Sequence, residues 1–274
     1  LDPDLLALHR HGDERDFLRT VAQPPVGEAG AARQQLETLA AFGLLADAPV
    51  VHQRLRGPLY QMALDRLLER GMAFECHCSR NDLAATGGVH RACVAGRRRP
   101  DPAIRLRVAC GCTIRFEDAI HGPVVQQVDR EVGDFVLRRS DGLWAYQLAV
   151  VVDDGEQGIT DVVRGADLLD STPRQILLQR ALGLATPAYA HLPLLLDAHG
   201  RKLSKSDAAR AVDGDAPVPT LRMLWAALGQ QPMETTFSNP DAFLRAAVDS
   251  FELARVPASR ASAALHNMRA TDPD

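Results

Sequence analysis

The feature that most constrains the fold is an alternation of apolar runs with helical segments after residue 134. The run "WAYQLAVVVDD" predicts an interior strand that ends in two carboxylates, because strands covered on both faces are apolar almost throughout. The segment "RQILLQRALG" predicts a helix that ends at Gly183, and "YAHLPLLLD" predicts the next buried strand. Strands that alternate with helices are typical of a doubly wound α/β domain, in which ligands bind beyond the carboxyl ends of the strands.

Other segments predict the remaining elements. One helix should end near Gly43, and its apolar face consists of Leu36, Leu39, Ala40 and Leu44. A second should begin at Pro58 and run to Gly71 with four residues directed inward, namely Leu59, Met62, Ala63 and Leu67. Thr172 and Gln175 match a capping box, which favours a helix start there. "AIRLRVA" and "TIRFED" predict strands, and "PTLRMLWAALG" and "PDAFLRAAVDSFELAR" predict two late helices.

Composition narrows the class of protein. The 274 residues are 46% hydrophobic and 24% charged, with a net charge of −4. There is no apolar window long enough for a membrane span and no secretory signal, and the odd number of cysteines favours a reducing compartment. We therefore expect a cytoplasmic protein. Because the total charge is acidic, a nucleic-acid partner would need a local basic surface, which Arg97, Arg98, Arg99, Arg105 and Arg107 could supply or merely expose to water.

Four soft donors lie in two clusters within "CHCSRNDLAATGGVHRAC": Cys76, Cys78, His90 and Cys93. Such clusters can close around one tetrahedral Zn²⁺ with no open position, which predicts a structural rather than a catalytic ion. His77 lies between two of the thiolates and should point elsewhere. Cys110 and Cys112 have no partner at useful spacing and are expected to be strand residues.

A basic loop follows the last predicted strand, in the sequence "RKLSKSD". Lysines and hydroxyls on a loop suit a polyphosphate whose negative charge grows during a reaction, although a solvated surface turn has the same composition. Composition alone favours the surface turn, and the position beyond a buried strand makes the two interpretations equally plausible. Asp153 and Asp154, at the end of the earlier run, are expected to cap a strand rather than to act as an acid/base pair.

The motifs together resemble a known family. The loop looks like the KMSKS signature of class I aminoacyl-tRNA synthetases, and with "WAYQLAVVVDDGEQGITDVVRGADLLDSTPRQILLQRALG" and "YAHLPLLLDAHG" the chain is similar to the glutamyl-queuosine tRNA(Asp) synthetases from about Gly30 onward. The resemblance implies a class I synthetase-type, Rossmann-like catalytic domain. It also implies that the protein activates glutamate with ATP and Mg²⁺ and transfers it to queuosine in the anticodon of tRNA(Asp). We expect the protein to be a monomer.

The resemblance also implies roles for residues. The loop would bind ATP, through Lys202, Leu203, Ser204, Lys205 and Ser206, with the two lysines as its catalytic groups. Tyr146 and Arg164 match the tyrosine and arginine that bind glutamate in the family. A guanidinium can hold a carboxylate through two parallel hydrogen bonds, which agrees with that role. The family usually has a tyrosine where His90 falls, and histidine is the more ordinary zinc ligand.

The resemblance implies a division of the chain into domains. It does not extend to the first 30 residues or so. Residues 1–72 and 119–215 would form a split catalytic domain, 73–118 a zinc-bearing insertion that helps to hold tRNA, and 216–274 a short helical tail. The first 30 residues or so lack the family's HIGH-type element, since "HRHG" has glycine fourth rather than third. The alternatives are a fragment of a glutamyl-tRNA synthetase and a catalytically impaired, zinc-stabilised tRNA-binding paralogue.

Overall fold

The computed structural model describes residues 30–196, 214–233, 235–259 and 261–262. These residues form seven α-helices: α1 (Ala31–Ala41), α2 (Gly57–Glu69), α3 (Val128–Glu131), α4 (Tyr146–Glu156), α5 (Thr172–Leu182), α6 (Pro217–Ala227) and α7 (Pro240–Ser250). They also form nine strands: β1 (Ala73–Cys76), β2 (Ala103–Leu106), β3 (Thr113–Asp118), β4 (Gly122–Gln127), β5 (Phe135–Arg138), β6 (Asp161–Gly165), β7 (Ala188–Leu192), β8 (Leu194–Leu195) and β9 (Ala261–Ser262). No helix in this part of the chain is both long and apolar enough to cross a bilayer.

The strands form small sheets of both kinds. One antiparallel sheet has the order β1-β2-β5, and a mixed sheet has the order β4-β3-β7-β6. In the mixed sheet β3 is antiparallel to β4 but parallel to β7, where Asp118 pairs with Tyr189. A short parallel pair joins β8 and β9. The strands predicted from "AIRLRVA" and "TIRFED" are confirmed, whereas the single strand predicted from "YAHLPLLLD" is two strands, β7 and β8, which belong to different sheets.

The chain divides into two compact units, and the first comprises residues 52–162 and 168–189 of the described part. Its core is formed by α2, α4 and α5 with β1, β2 and β5. In α2 the buried residues recur at the helical period, because they lie on one stripe of the helix: Leu59, Tyr60, Ala63, Leu64 and Leu67. Pro58 lies in the first turn, where its missing N–H costs nothing, so this predicted helix is confirmed.

The prediction of an interior strand at "WAYQLAVVVDD" is wrong, because this segment is helix α4. Fully buried helices and strands both produce uninterrupted apolar runs, so the run alone does not distinguish them. The buried apolar residues of α4 follow the helical spacing i, i+1, i+3, i+4 and are Leu148, Ala149, Val151 and Val152. The two carboxylates therefore lie in the last turns of a helix rather than at a strand end.

Asp153 is a structural residue of this core. Its carboxylate accepts hydrogen bonds from Arg56 Nε at 2.6 Å, Tyr60 Oη at 2.7 Å and Gln53 Nε2 at 2.8 Å. Arg56 also donates to Glu156 at 2.7 Å. Charged hydrogen bonds thus connect the start of α2 to the end of α4. The prediction that Asp153 caps a strand is wrong, because this residue lies in a helix.

The predicted capping box is also wrong. The residue before α5 is Ser171, which has helical dihedrals and makes no capping hydrogen bond with its side chain, and Thr172, the predicted cap, is already the first residue of the helix. The turn of 3₁₀-helix at Ala166–Ser171 leads directly into α5, so the chain is already helical where a cap would be needed. The helix does end at Gly183, whose φ of 73° is the left-handed conformation expected after a helix.

The second unit comprises the described residues of 14–51, 163–167 and 190–274. Its core joins α1, α6 and α7, and both late helices are confirmed. The core residues are Phe42, Leu221, Trp225, Phe243 and Ala247. Helix α1 ends as predicted next to Gly43, but its predicted inner face is substantially exposed at Leu36, Leu39 and Leu44. Phe42, which follows the helix, is the residue that reaches this core.

Candidate functional site

The predicted metal ligands meet in one small cluster of the first unit. One donor atom from each of Cys76, Cys78, His90 and Cys93 lies within 4.8 Å of all the others. Cys76 ends β1, and the other donors come from the loops between β1 and β2. Three of the four residues are buried, and Cys93 is exposed. The strand therefore fixes one ligand while the loops fold the others back toward it.

The spacing of the donors fits a tetrahedral zinc ion. The Sγ atoms of Cys78 and Cys93 are 3.7 Å apart, and Cys76 Sγ is 3.3 Å from His90 Nε2. With Zn–S near 2.3 Å and Zn–N near 2.0 Å, a tetrahedral ion separates two sulfurs by about 3.8 Å and a sulfur from a nitrogen by about 3.5 Å. Three thiols and one imidazole leave no position for water or substrate, so the cluster could hold a structural ion.

The surroundings of the thiols suit a bound cation. Burial raises the pKa of the Cys78 thiol to about 11, and the nearby thiols of Cys93 and Cys76 add to the rise. The backbone N–H of His77 lowers the pKa of Cys93. Buried thiols of this kind ionise together when a metal supplies the positive charge. The His77 ring points elsewhere, as predicted, because its Nδ1 accepts a hydrogen bond from the backbone N–H of Arg99 at 3.0 Å.

The other two cysteines are not strand residues, contrary to the prediction. They flank a turn at Gly111, whose φ of 77° favours glycine, and Cys112 immediately precedes β3. The Gly111 N–H donates to the Asp129 carboxylate at 2.9 Å, which fixes this turn. In the sequence these two cysteines form a C-x-C pair without a second pair of donors nearby. In the structure they lie outside the cluster of four donors.

The two predicted glutamate-binding residues lie in different units. Tyr146 is the first residue of α4 and is 45% exposed, so it begins a helix rather than ending a strand. Arg164 lies in β6, and its Nε donates to Nε2 of His191 in β7 at 3.1 Å, within the second unit. His191 is completely buried. The glutamate-binding roles of Tyr146 and Arg164 remain predictions.

His191 was missed by the sequence reasoning. An arginine Nε always carries a proton, so Nε2 of His191 must be the acceptor and the imidazole proton must be on Nδ1. The hydrogen bond to the buried His191 ring thereby fixes the orientation of the Arg164 guanidinium. A histidine inside an apolar strand, two residues after a tyrosine, was the available signal.

The predicted ATP-binding residues fall outside the described part of the chain: Lys202, Leu203, Ser204, Lys205 and Ser206. The arginines of the predicted basic surface divide into two sets. Arg97, Arg98 and Arg99 line an open depression of about 490 Å³ together with Pro100, Asp101 and Ser140, so that one acidic residue lies among the three arginines. Arg105 instead donates to the Asp134 carbonyl at 2.9 Å, and the Arg107 guanidinium lies 4.5 Å from the centre of the Phe74 ring. The basic surface at this depression therefore includes Arg97, Arg98 and Arg99 but not Arg105 and Arg107.

Comparison with known proteins identifies the family. A family model described as the catalytic domain of class I tRNA synthetases (E and Q) matches residues 90–235. The glutamyl-Q tRNA(Asp) synthetase of Xanthomonas oryzae pv. oryzae is 59% identical over 230 residues, which are 83% of this chain and 76% of that protein. The chain belongs to the glutamyl-Q tRNA(Asp) synthetase family. Class I aminoacyl-tRNA synthetases are ATP-dependent ligases, so the protein is an enzyme of that type with a glutamate–tRNA ligase-like function.

Members of the family from other genera also match this chain, at lower identity. The enzyme of Pseudomonas paraeruginosa is 50% identical over 212 residues, covering 76% of this chain and 72% of that protein. The enzyme of Burkholderia mallei is 46% identical over 246 residues, covering 84% and 82%.

Solved structures show the same fold. A glutamate tRNA ligase from Elizabethkingia meningosepticum, crystallised in complex with its amino acid, superimposes with a TM-score of 0.68 at 23% identity. The match covers 95% of this chain but only 62% of that longer protein. A glutamate-tRNA synthetase from Elizabethkingia anophelis gives a TM-score of 0.69. The class I synthetase fold predicted from the sequence is therefore confirmed.

Proposed function

We propose that this protein activates glutamate with ATP and transfers it to the queuosine base in the anticodon of tRNA(Asp). The observation that carries the proposal is 59% identity to an enzyme named for that reaction, over 83% of this chain. The family model spans residues 90–235, which include Tyr146, Arg164 and the loop 202–206. In activation, a carboxylate of glutamate displaces pyrophosphate from ATP, and the resulting acyl group then passes to the tRNA with release of AMP.

Two residues are proposed to hold the amino acid. The guanidinium of Arg164 would bind a carboxylate of glutamate, because a planar fork of donors matches two carboxylate oxygens. The hydrogen bond from Arg164 to the buried His191 supports this role, since it fixes the orientation of the fork. The hydroxyl of Tyr146, at the exposed start of α4, would supply a directed hydrogen bond.

The loop lysines are proposed to bind the ATP phosphates. Lys202 and Lys205 would neutralise the charge that grows as pyrophosphate leaves. Since the first 30 residues or so lack the family's HIGH-type element, we expect little or no exchange from the chain of 274 residues. With that segment restored, we expect glutamate-dependent exchange of pyrophosphate into ATP, and Lys205→Ala in the restored chain to lose it. Arg210→Ala, which removes a cation further along the same segment, should retain the exchange. Exchange at the wild-type rate in Lys205→Ala would exclude the proposed role of the loop.

The identity of the tRNA requires a separate assay. Transfer of radiolabelled glutamate is expected to tRNA(Asp) that contains queuosine, and not to the same tRNA without it. Transfer to tRNA(Glu) instead would indicate a piece of a glutamyl-tRNA synthetase. Absence of both exchange and transfer, with tRNA binding retained, would indicate the catalytically impaired paralogue.

The depression lined by Arg97, Arg98 and Arg99 is proposed to contact phosphates of the tRNA. Phosphate contacts release counterions, so each lost contact should lower the slope of log affinity against log salt by about one. Arg98→Glu should weaken tRNA binding in this salt-dependent manner. Arg245→Glu, the same change of charge at an exposed position of α7, should not.

The Cys76, Cys78, His90 and Cys93 cluster is proposed to hold one structural Zn²⁺. The donor separations that fit a tetrahedral ion support it. Elemental analysis should find one zinc per chain. Cys93→Ser should lower that content, and Cys110→Ser, at an exposed cysteine outside the cluster, should leave it unchanged. Full zinc content in Cys93→Ser would refute the ligand set.

A further inference from the structure

The ring of His90 is held on both sides. Its Nε2 faces Cys76 Sγ at 3.3 Å, and its Nδ1 lies 2.9 Å from Oδ2 of Asp134. His90 is 1% exposed and Asp134 is 7% exposed, so water does not replace this partner. A ring with one nitrogen toward the donor cluster and the other on a buried carboxylate has little freedom to turn.

Asp134 is itself fixed. Its second oxygen, Oδ1, accepts a hydrogen bond from the backbone N–H of Val108 at 2.7 Å. Its backbone carbonyl accepts one from Arg105 Nη1 at 2.9 Å. Both carboxylate oxygens of Asp134 therefore have a partner, and the carboxylate cannot turn without leaving the Val108 N–H unpaired.

The backbone beside Asp134 also holds His90. The Asp134 N–H donates to the His90 carbonyl oxygen at 2.7 Å. A Cβ atom on Gly133 would lie 2.1 Å from that same oxygen, so only glycine permits this approach. The side chain of Asp134 and the backbone of residues 133–134 thus both contact His90.

We propose that Asp134 is a positioning residue for the metal centre, which orients His90 and fixes its tautomer. This proposal rests on the proposed zinc site. A nitrogen that binds a metal carries no proton, so His90 needs its proton on Nδ1. The Asp134 carboxylate selects that tautomer because, as an acceptor, it requires a donor from Nδ1.

Replacement of Asp134 by asparagine separates the two functions of the carboxylate. An amide has one acceptor and one donor end, so it cannot accept from both His90 and Val108. If its oxygen stays on Val108, its amino group faces Nδ1 and selects the tautomer with a proton on Nε2. That proton occupies the position of the metal.

The experiment compares zinc-loaded full-length wild type, Asp134→Asn and Asp129→Asn. Asp129 is the control because it also accepts a backbone N–H through its carboxylate, at the Gly111 turn. Competition with a chromophoric chelator should show zinc binding about 10- to 100-fold weaker in Asp134→Asn and unchanged in Asp129→Asn. The visible ligand-field spectrum of the Co²⁺-substituted protein should change only in Asp134→Asn.

Each possible negative result contradicts a different proposal. Equal zinc affinity and an unchanged Co²⁺ spectrum in Asp134→Asn would overturn the positioning role. Absence of zinc binding in wild type would overturn the zinc site itself, and this inference with it. If Asp134→Asn does not fold, proton and nitrogen-15 NMR of the His90 ring in the zinc-loaded wild type decides, since an Nδ1 proton that exchanges freely with water would show that the Asp134 carboxylate does not hold it.

Discussion

A carboxylate that is removed from water must regain its lost hydration from protein donors, and Asp153 does so with three of them. Arg56, the charged donor, is 6% exposed, and Asp153 is 5% exposed. Removal of one partner from a buried ion pair leaves the other charge uncompensated, which is costly. Arg56 keeps Glu156 as a second anion, which limits the loss.

Asp153→Asn is expected to lower the free energy of unfolding by about 2–4 kcal/mol, since it removes the charge that faces Arg56. Asp141→Asn removes a charge from the exposed pair with Arg139, which is screened by water, and should change stability little. Urea unfolding of both variants measures the difference. Equal midpoints would mean that the buried pair contributes no more than the surface pair.

The hydrogen bond between Arg164 and His191 gives a second prediction at this scale. His191→Gln keeps an acceptor near the place of Nε2, whereas His191→Leu keeps the volume and removes the acceptor. In the exchange assay we expect the KM for glutamate to rise about 10- to 150-fold in His191→Leu, which corresponds to the loss of one hydrogen bond to a charged group, and much less in His191→Gln. A change in kcat alone, with KM unaltered, would contradict a role in holding Arg164.

At the scale of elements, the sequence predicted those whose signals are local. Pro58 and Gly183 mark a helix start and a helix end, and both are where they were expected. Helix α4 was predicted as a strand because its apolar residues continue beyond the buried face, to the half-buried Val150, so that no polar residue interrupts them to reveal the helical period. The cluster of three cysteines and His90 was predicted from spacing, whereas Asp134 lies 44 residues from His90 and could not be paired with it without the fold.

The turn into β5 is the element most sensitive to a single methyl group. Gly133 has a φ of 67°, and an added Cβ would also meet Val89 Cγ1 at 2.9 Å. Gly133→Ala should therefore cost about 3 kcal/mol or more, and weaken zinc binding through His90. Gly142→Ala, at a φ of 82° with open space around it, should cost only the left-handed penalty of about 1–2 kcal/mol. Thermal unfolding and chelator competition measure both effects, and similar losses in the two variants would show that the approach to His90 is unimportant.

At the scale of the whole molecule, apolar burial is unevenly distributed. In the first unit the main core contains fifteen buried residues, whereas the cluster around the cysteines contains only Cys76, Cys78 and Leu83. Two of those three are proposed metal ligands. So small a cluster cannot offset the entropy of ordering its loops by apolar burial alone, and the proposed ion supplies what the cluster lacks.

Removal of zinc should therefore loosen one region and spare the rest. In hydrogen–deuterium exchange of the chelator-treated protein, peptides within 76–96 should exchange much faster than in the zinc-loaded protein. Peptides from α4 and α5, which pack in the main core, should keep their protection because no proposed ligand lies in them. Cys93→Ser should reproduce this pattern without chelator. Loss of protection throughout α4 and α5 would instead mean that the ion supports the fold of the whole unit, and unchanged exchange at 76–96 would deny it a structural role.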